Sequence, residues 1–435
     1  MAGRETRPGR CVIPLGWEEI EALALGELRS APADGIVRRV HDDSRDARPG
    51  DLFVALNTGT RFVDEALARG AATLVPREQE SALAALARLV RDRSDAQVVA
   101  VVGSTGKTTT KDALAALSAA VTPTVAADAS RNNELGLPLT VLRLEPETRV
   151  LVTEMGMRGL GQVADLCRVA RPTVAVVTSI GPEHLELVGS IENVARANAE
   201  ALGALPEGAV AVVPADEPLL EPYLRDDLDV RRFERATVER LGEAWVFPVS
   251  RRTVQLELPF TQRHLAENVL AALVAYDALG LPLERATDGA PAIALSPWRG
   301  EVTDLRGGGL VVNDAYNANP TSMRAALLDL TERAAGRRRV VILGQMAELG
   351  VDSPRYHDEI AALLAELRIE VIVAVGDPAR AYLAGAADGR FVTDAAAAAR
   401  VLDVLAPGDA ILVKASRAVG LEGIPALIEK HARAW

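Results

Sequence analysis

Lysine is nearly absent from this sequence. Of 48 basic residues in 435, only four are lysine: Lys107, Lys111, Lys414 and Lys430. Arginine therefore carries the surface charge, and a position that keeps lysine points to a need for a compact ammonium group rather than a planar fork. Cysteine is scarce as well. Cys11 and Cys167 stand alone without metal-ligand spacing, which argues against a disulfide framework and a zinc site. No apolar run approaches the ~20 residues of a membrane helix, and the opening Met-Ala-Gly-Arg-Glu-Thr-Arg has no apolar leader segment. No membrane insertion and a cytoplasmic location are expected. A net charge of −12 lacks the basic excess that a nucleic-acid partner would select.

What is present reads as an ordinary soluble globular composition, 49% apolar and 25% charged. The chain is too long for one core, and ~150 residues per domain gives three. The most informative stretch is Ala96 to Lys111. Val98 to Val102 form a β-branched apolar run suited to a strand buried on both faces. Gly103-Ser104-Thr105-Gly106-Lys107-Thr108-Thr109 follows, and Asp112 to Val121 continue as an alanine- and leucine-rich helix. Strand, glycine loop and helix make a phosphate cradle: glycines admit a polyphosphate to the backbone, amides and the helix N-terminus donate, Lys107 adds charge and the Thr108 hydroxyl suits Mg²⁺. The full Walker spacing would put a glycine at Val101, so this loop is a shortened variant.

Upstream, Ile20 to Leu28 has helical spacing, Gly35 to Val40 is strand-like, and Pro49-Gly50 turns into the strand Asp51 to Leu56. Asp42-Asp43-Ser44-Arg45 before that turn reads, on its own residues, as a solvated loop. From about 95 to about 295 strands and helices alternate, which implies a mainly parallel, doubly wound sheet. Val150 to Thr153 end in Glu154, and Thr173 to Thr178 lead to Glu183-His184. Ligands bind at the carboxyl ends of such strands, so Glu154 and His184 should face the cradle and, with Thr108, are candidates to hold a divalent metal; a structural role for each is the alternative. Leu265 to Leu279 form a helix stopped by Gly280-Leu281-Pro282, and Pro297-Trp298-Arg299-Gly300 reads as a hinge. Beyond it, Leu310 to Val312, Arg339 to Leu343, Glu370 to Val375 and Ala410 to Val413 suggest a second dinucleotide-type sheet. Its strand ends carry Asp314 to Pro320, Gly344 to Gly350 and Lys414 to Arg417, a second polar surface across a cleft.

Taken together these motifs resemble those of the Mur ligases over nearly the whole chain. Gly103 to Lys111 resembles the family's phosphate loop, Asn132-Asn133-Glu134-Leu135-Gly136 its substrate loop, Glu154 and His184 its magnesium ligands, and His264 with Asn268 its adenine-contacting helix start. Asp314 to Pro320, Gly344 to Gly350 with His357, and Lys414 to Arg417 resemble its C-terminal motifs, and Asp43-Ser44-Arg45 its UDP-binding domain. The resemblance implies an α/β fold of three domains: residues 1–85 for a UDP-linked substrate, 86–297 a P-loop ATP-binding doubly wound sheet, and 298–435 a Rossmann-like domain. It implies ATP and Mg²⁺ as cofactors, a UDP-linked muramoyl peptide and a dipeptide as substrates, and a monomer. By residue, it implies Lys107, Lys414 and His184 in catalysis. ATP would be held by residues 103–109 with Asn268, Arg299, Asp314, Tyr316, Asn317, Asn319 and Pro320. Ser44, Arg45, Asn132, Asn133 and Arg417 would meet substrate, and Thr108, Glu154 and His184 the metal.

The implied reaction is ATP-dependent amide formation through an acyl phosphate. Three positions depart from the family pattern: Asn198 replaces a lysine that is carbamylated to hold a second Mg²⁺, Thr58 to Phe62 lacks the usual Asp-Gly-His, and Ala415 replaces a glycine. At Asn198 a water-mediated contact to a weakly held second ion is expected, with Glu200 or Glu183 supplying charge. A ligase for another carboxylate and amine, or a catalytically weak ATP-binding homologue, is the alternative.

Overall fold

The computed structural model describes residues 12–435 apart from 129 and 385; Cys11 lies outside the described residues. Six parallel strands form the central sheet, in the spatial order Asp229–Phe233, Val210–Pro214, Val174–Val177, Gln97–Val102, Val150–Glu154, Thr124–Ala126. Successive side chains of a strand point to opposite faces. Val98, Ala100 and Val102 accordingly enter one buried cluster and Val99 and Val101 the other, so the strand is covered on both sides. The cluster holding Val98 is continuous with Leu52 and Leu74 of the N-terminal region through Leu83 and Leu86 of helix Gln79–Asp92. From Gln97–Val102 the chain first winds to one side and then, with Val174–Val177, to the other. The reversal opens a crevice at the carboxyl ends of these two neighbouring strands.

The N-terminal region holds a four-stranded sheet, ordered Gly26–Arg29, Ala72–Pro76, Asp51–Val54, Arg39–His41. Here the expected helix over Ile20 to Leu28 is corrected. The helix is Trp17–Ala22; Ala24 adopts a left-handed φ of 49°, and Gly26–Arg29 pairs antiparallel with Ala72–Pro76. Leu23, Leu25 and Leu28 all pack on the core, and such short apolar spacing does not separate a helix from a turn followed by a strand. A second difference lies at 239–257, where the alternation expected to run to 295 is interrupted by an antiparallel meander, Glu239–Leu241, Ala244–Val249 and Arg252–Glu257. Left-handed Gly242 and Ser250 make its turns, and Trp245, Phe247, Val254 and Leu256 pack with helix Arg263–Ala278.

The last sheet is ordered Glu301–Asp304, Leu310–Asn313, Ala410–Lys414, Arg339–Gly344, Val371–Val375, Asp388–Val392, with only the first pair antiparallel. Its polar strand ends are ordered from within. His357, buried in helix Ser353–Glu366, donates from Nδ1 to the Ser353 carbonyl at 2.7 Å and accepts the Met346 amide at Nε2 at 3.1 Å. Only a neutral imidazole can do both, and burial lowers its pKa from the ordinary 6.5. The unfolded chain then binds the proton more readily. Stability from this contact is complete above the unfolded pKa and is lost as pH falls from there towards the lower folded value. Melting measured between about pH 7.5 and about pH 5.5 should therefore fall further for the unmodified protein than for His357→Gln; equal falls would remove His357 from the account.

Candidate functional site

The phosphate loop lies at the crevice, folded onto the end of strand Val174–Val177. Three consecutive amides are held by protein: Gly103 N–H donates to Asn198 Oδ1 at 2.7 Å, Ser104 N–H to the Ser179 carbonyl at 2.8 Å, and Thr105 N–H to Ser179 Oγ at 3.0 Å. Thr178 Oγ1 donates to the Thr105 carbonyl at 2.6 Å, and Ser104 Oγ bonds both the Gly181 amide and carbonyl. Two glycines are obligatory. A Cβ on Gly103 (φ +126) would meet Thr178 Oγ1 at 2.3 Å, and one on Gly106 (φ +84) would meet Asn268 Oδ1 at 2.2 Å.

The helix opens at Lys107 rather than near Asp112, so Lys107, Thr108 and Thr109 form its first turn, where amides have no intrahelical acceptor. The donors offered to a polyphosphate are thus those around Gly106 to Thr109, with the first half of the loop acting as their support. Lys107 Nζ donates to the Gly103 carbonyl and lies 3.5 Å from Glu183 Oε2, at the mouth of the loop. Lys111, despite flanking the loop, is buried; it donates to the Ala127 carbonyl at 2.9 Å and pairs with Asp112 at 2.6 Å.

Glu154 is 1% exposed, accepts from Asn132 Nδ2 at 2.9 Å through Oε1, and leaves Oε2 buried without a hydrogen-bond partner. An unpaired carboxylate oxygen in the interior is costly unless a cation meets it. His184 binds the Glu348 carboxylate through Nδ1, which leaves Nε2, 4.0 Å from Glu183, as the free ring nitrogen. Among the described residues no cluster of three or more His, Cys, Asp or Glu forms a metal cage. Asn198 and Glu200 depart from expectation. Asn198 spends its oxygen on Gly103 and its nitrogen on the Val194 carbonyl at 2.9 Å, while Glu200 caps the amides of Gly161 and Ala164. Both side chains are engaged with backbone groups.

The C-terminal edge meets this crevice directly. Glu348 holds His184 and, through its carbonyl, the Glu186 amide at 3.1 Å, and Thr321 Oγ1 lies 2.8 Å from where a Gly181 Cβ would stand. His184, Trp298 and Glu348 all have left-handed backbones, with φ of 51°, 62° and 62°. Such conformations cost on the order of 1–3 kcal/mol and persist where surroundings impose them. Lys414 is 2% exposed, and its ammonium donates to Asp314 Oδ2 at 2.6 Å, the Asn317 carbonyl at 2.8 Å and the Asp314 carbonyl at 3.4 Å. Its three hydrogens tie down the 314–317 segment. Asn319 and Pro320 open helix Pro320–Ala334: Asn319 Oδ1 caps the Ser322 amide at 2.8 Å and Ser322 Oγ returns the bond. Arg299 stacks on Tyr316 at 3.8 Å, with its Nε buried and unpaired, and reaches Ser130 Oγ at 3.4 Å. Arg417 stacks on Trp298 at 4.3 Å and pairs with Glu422 at 3.2 Å.

Of the N-terminal and loop candidates, Asn132 reaches the Glu154 carboxylate, whereas Asn133 caps the Gly136 amide at 2.9 Å. Ser44 is buried against Glu65 at 3.2 Å. The Arg45 side chain is 79% exposed and folds onto Asp43, whose carboxyl it holds down at about 2. The 42–45 segment does come to the crevice side, since Asp42 pairs with Arg131, the neighbour of Asn132, at 3.6 Å. Sequence reasoning missed Ser179 as a support of the loop and Glu348 as the partner of His184. Position was the available signal for Ser179, which directly follows the strand across the crevice from the loop.

Known proteins resemble this chain in sequence and fold. Residues 101–276 match the Mur ligase middle domain and 298–417 the Mur ligase glutamate ligase domain. UDP-N-acetylmuramoyl-tripeptide–D-alanyl-D-alanine ligase of Bacillus subtilis is 31% identical over 424 residues, covering 89% of this chain and 92% of that protein. MurF from Acinetobacter baumannii superposes with a TM-score of 0.84 at 28% identity, covering 96% of this chain and 99% of that one. MurF ligase from Thermotoga maritima in complex with ADP does so with a TM-score of 0.78 at 27% identity, covering 92% and 98%.

The unpaired Glu154 oxygen gives a direct test. Glu154→Gln should raise the Mg²⁺ concentration for half-maximal activity by about tenfold, because a neutral amide is a poorer ligand for a hard cation, and should leave the melting temperature nearly unchanged. A lower melting temperature with unchanged magnesium dependence would place Glu154 in packing instead.

Proposed function

Since the chain belongs to the Mur ligase family, we propose that it is an ATP-dependent, ADP-forming ligase that adds D-alanyl-D-alanine to a UDP-N-acetylmuramoyl tripeptide during peptidoglycan precursor synthesis. The observation that carries this reading is the crevice itself: a phosphate loop, a buried carboxylate with an unpaired oxygen, and the edge of a second sheet meet in one place. Near full-length similarity to ligases of that name supports the choice of substrates. Residues 1–85 are assigned to the UDP-linked substrate, 86–297 to ATP and 298–435 to closure over both. Among the described residues no helix is long and apolar enough to cross a membrane.

In the proposed reaction the peptide carboxylate takes the terminal phosphoryl group of ATP, releasing ADP. The dipeptide amine then attacks the acyl carbon and inorganic phosphate leaves. The protein's part is positioning and charge. First-turn amides and the Lys107 ammonium meet the phosphates, stabilising negative charge that spreads over the transferring group. Thr108, Glu154 and His184 would hold Mg²⁺, which when bound supplies further positive charge to the phosphate oxygens. Glu348 on His184 and Thr321 on Gly181 join the two sheet edges beside the loop, keeping water from an acyl phosphate that it would hydrolyse. Asn132 couples the substrate loop to Glu154. Arg417, stacked and ion-paired, is assigned to the substrate.

Phosphate release by the purified protein should require ATP, the muramoyl tripeptide and D-alanyl-D-alanine together. Release with another acid and amine, but not with these, would replace the substrate assignment. Lys107→Ala should lower turnover by on the order of a hundredfold or more with an unchanged melting temperature, as expected for a charge acting mainly in the transition state.

A further inference from the structure

We infer that Asn198 is a positioning residue that pins the first glycine of the phosphate loop, and that it takes no part in holding a cation. It lies on helix Ile191–Gly203, 1% exposed, on a face otherwise built of alanine, valine and leucine. A polar amide in that setting is tolerated only if its hydrogen bonds are made, and both halves are engaged, with Gly103 N–H and the Val194 carbonyl. Gly103 is the residue with the greatest need of such an anchor. Its φ of +126 and its closeness to Thr178 allow no side chain to lock it, and its buried N–H would otherwise lack an acceptor. The Gly103 carbonyl receives Lys107 Nζ. One glycine thereby couples Asn198 to the lysine at the mouth of the loop.

A divalent cation asks for charged oxygens, and this helix offers none towards the loop, since Glu200 is spent on two helix-opening amides. Asparagine at a position where the resemblance implies a carbamylated lysine therefore replaces a cation ligand with a backbone brace. The inference deepens the nucleotide-binding reading above and rests on it for its effect on affinity.

The test uses the full chain, unmodified and as Asn198→Ala and Asn198→Asp. Amide hydrogen exchange over residues 103–106 without nucleotide should quicken in Asn198→Ala and stay protected in Asn198→Asp, which keeps an acceptor of the same length. Mg·ADP affinity by calorimetry should fall about tenfold in Asn198→Ala, corresponding to about 1.4 kcal/mol. The Mg²⁺ requirement at saturating nucleotide should not move, and bicarbonate should not stimulate the unmodified protein. Unchanged exchange and affinity in Asn198→Ala with a raised Mg²⁺ requirement would overturn the inference, as would bicarbonate stimulation. If Asn198→Ala does not fold, loss of protection in Asn198→Asp overturns it and retained protection supports it. Failure of the unmodified protein to bind Mg·ADP would instead reject the ligase reading, and the exchange measurement would still decide the anchor.

Discussion

The site depends on one constraint: a loop buried between two strand ends must find a partner for every backbone polar group it hides. Gly103, Ser104 and Thr105 meet this through Asn198 and Ser179, and Thr178 returns a bond to the Thr105 carbonyl. The first half of the loop is thereby committed to protein. What remains is the first helical turn from Lys107, whose amides no intrahelical carbonyl can satisfy. Rigid support on one side and unsatisfied donors on the other make an anion site from an ordinary strand-to-helix turn.

The second sheet is joined to this cradle by polar contacts and by Tyr356, which packs against both the central and the C-terminal apolar clusters. Glu348 reaches His184 from a segment that His357 orders through the Met346 amide, and the Lys414 ammonium ties down residues 314–317. Left-handed His184 and Glu348 meet at this junction, where local strain has to be balanced by contacts between distant segments. Polar contacts of this kind suit a surface that closes over a ligand.

Scarcity of lysine separates the roles of the two cation types. Lys107 and Lys414 are compact charges set among several oxygens. Arg299 and Arg417 lie over the rings of Tyr316 and Trp298, contacts that suit a planar, weakly hydrated guanidinium better than an ammonium. Yet a retained lysine is not always an exposed ammonium. Lys111 and Lys414 are both buried and fully occupied, and only Lys107 stands at the mouth of the loop.

Much of the architecture was readable from the chain. Val98 to Val102, the glycines at 103 and 106, the strand ends at Glu154 and His184, and the parallel alternation after 300 are local patterns, governed by side-chain period and by where only glycine avoids a clash. Helix Ile20 to Leu28 and the meander at 239–257 were misread for the same local reason: a short apolar spacing fits a helix, a turn or a strand until its pairing partner is known. The jobs of individual side chains were settled by tertiary structure alone. Asn198 meets Gly103 across 95 residues and Lys414 meets Asp314 across 100. A hydrogen bond at such separation is decided by how sheets and helices pack, so the sequence determined which polar groups arrive at the crevice, and only the fold decided which of them remain free to act there.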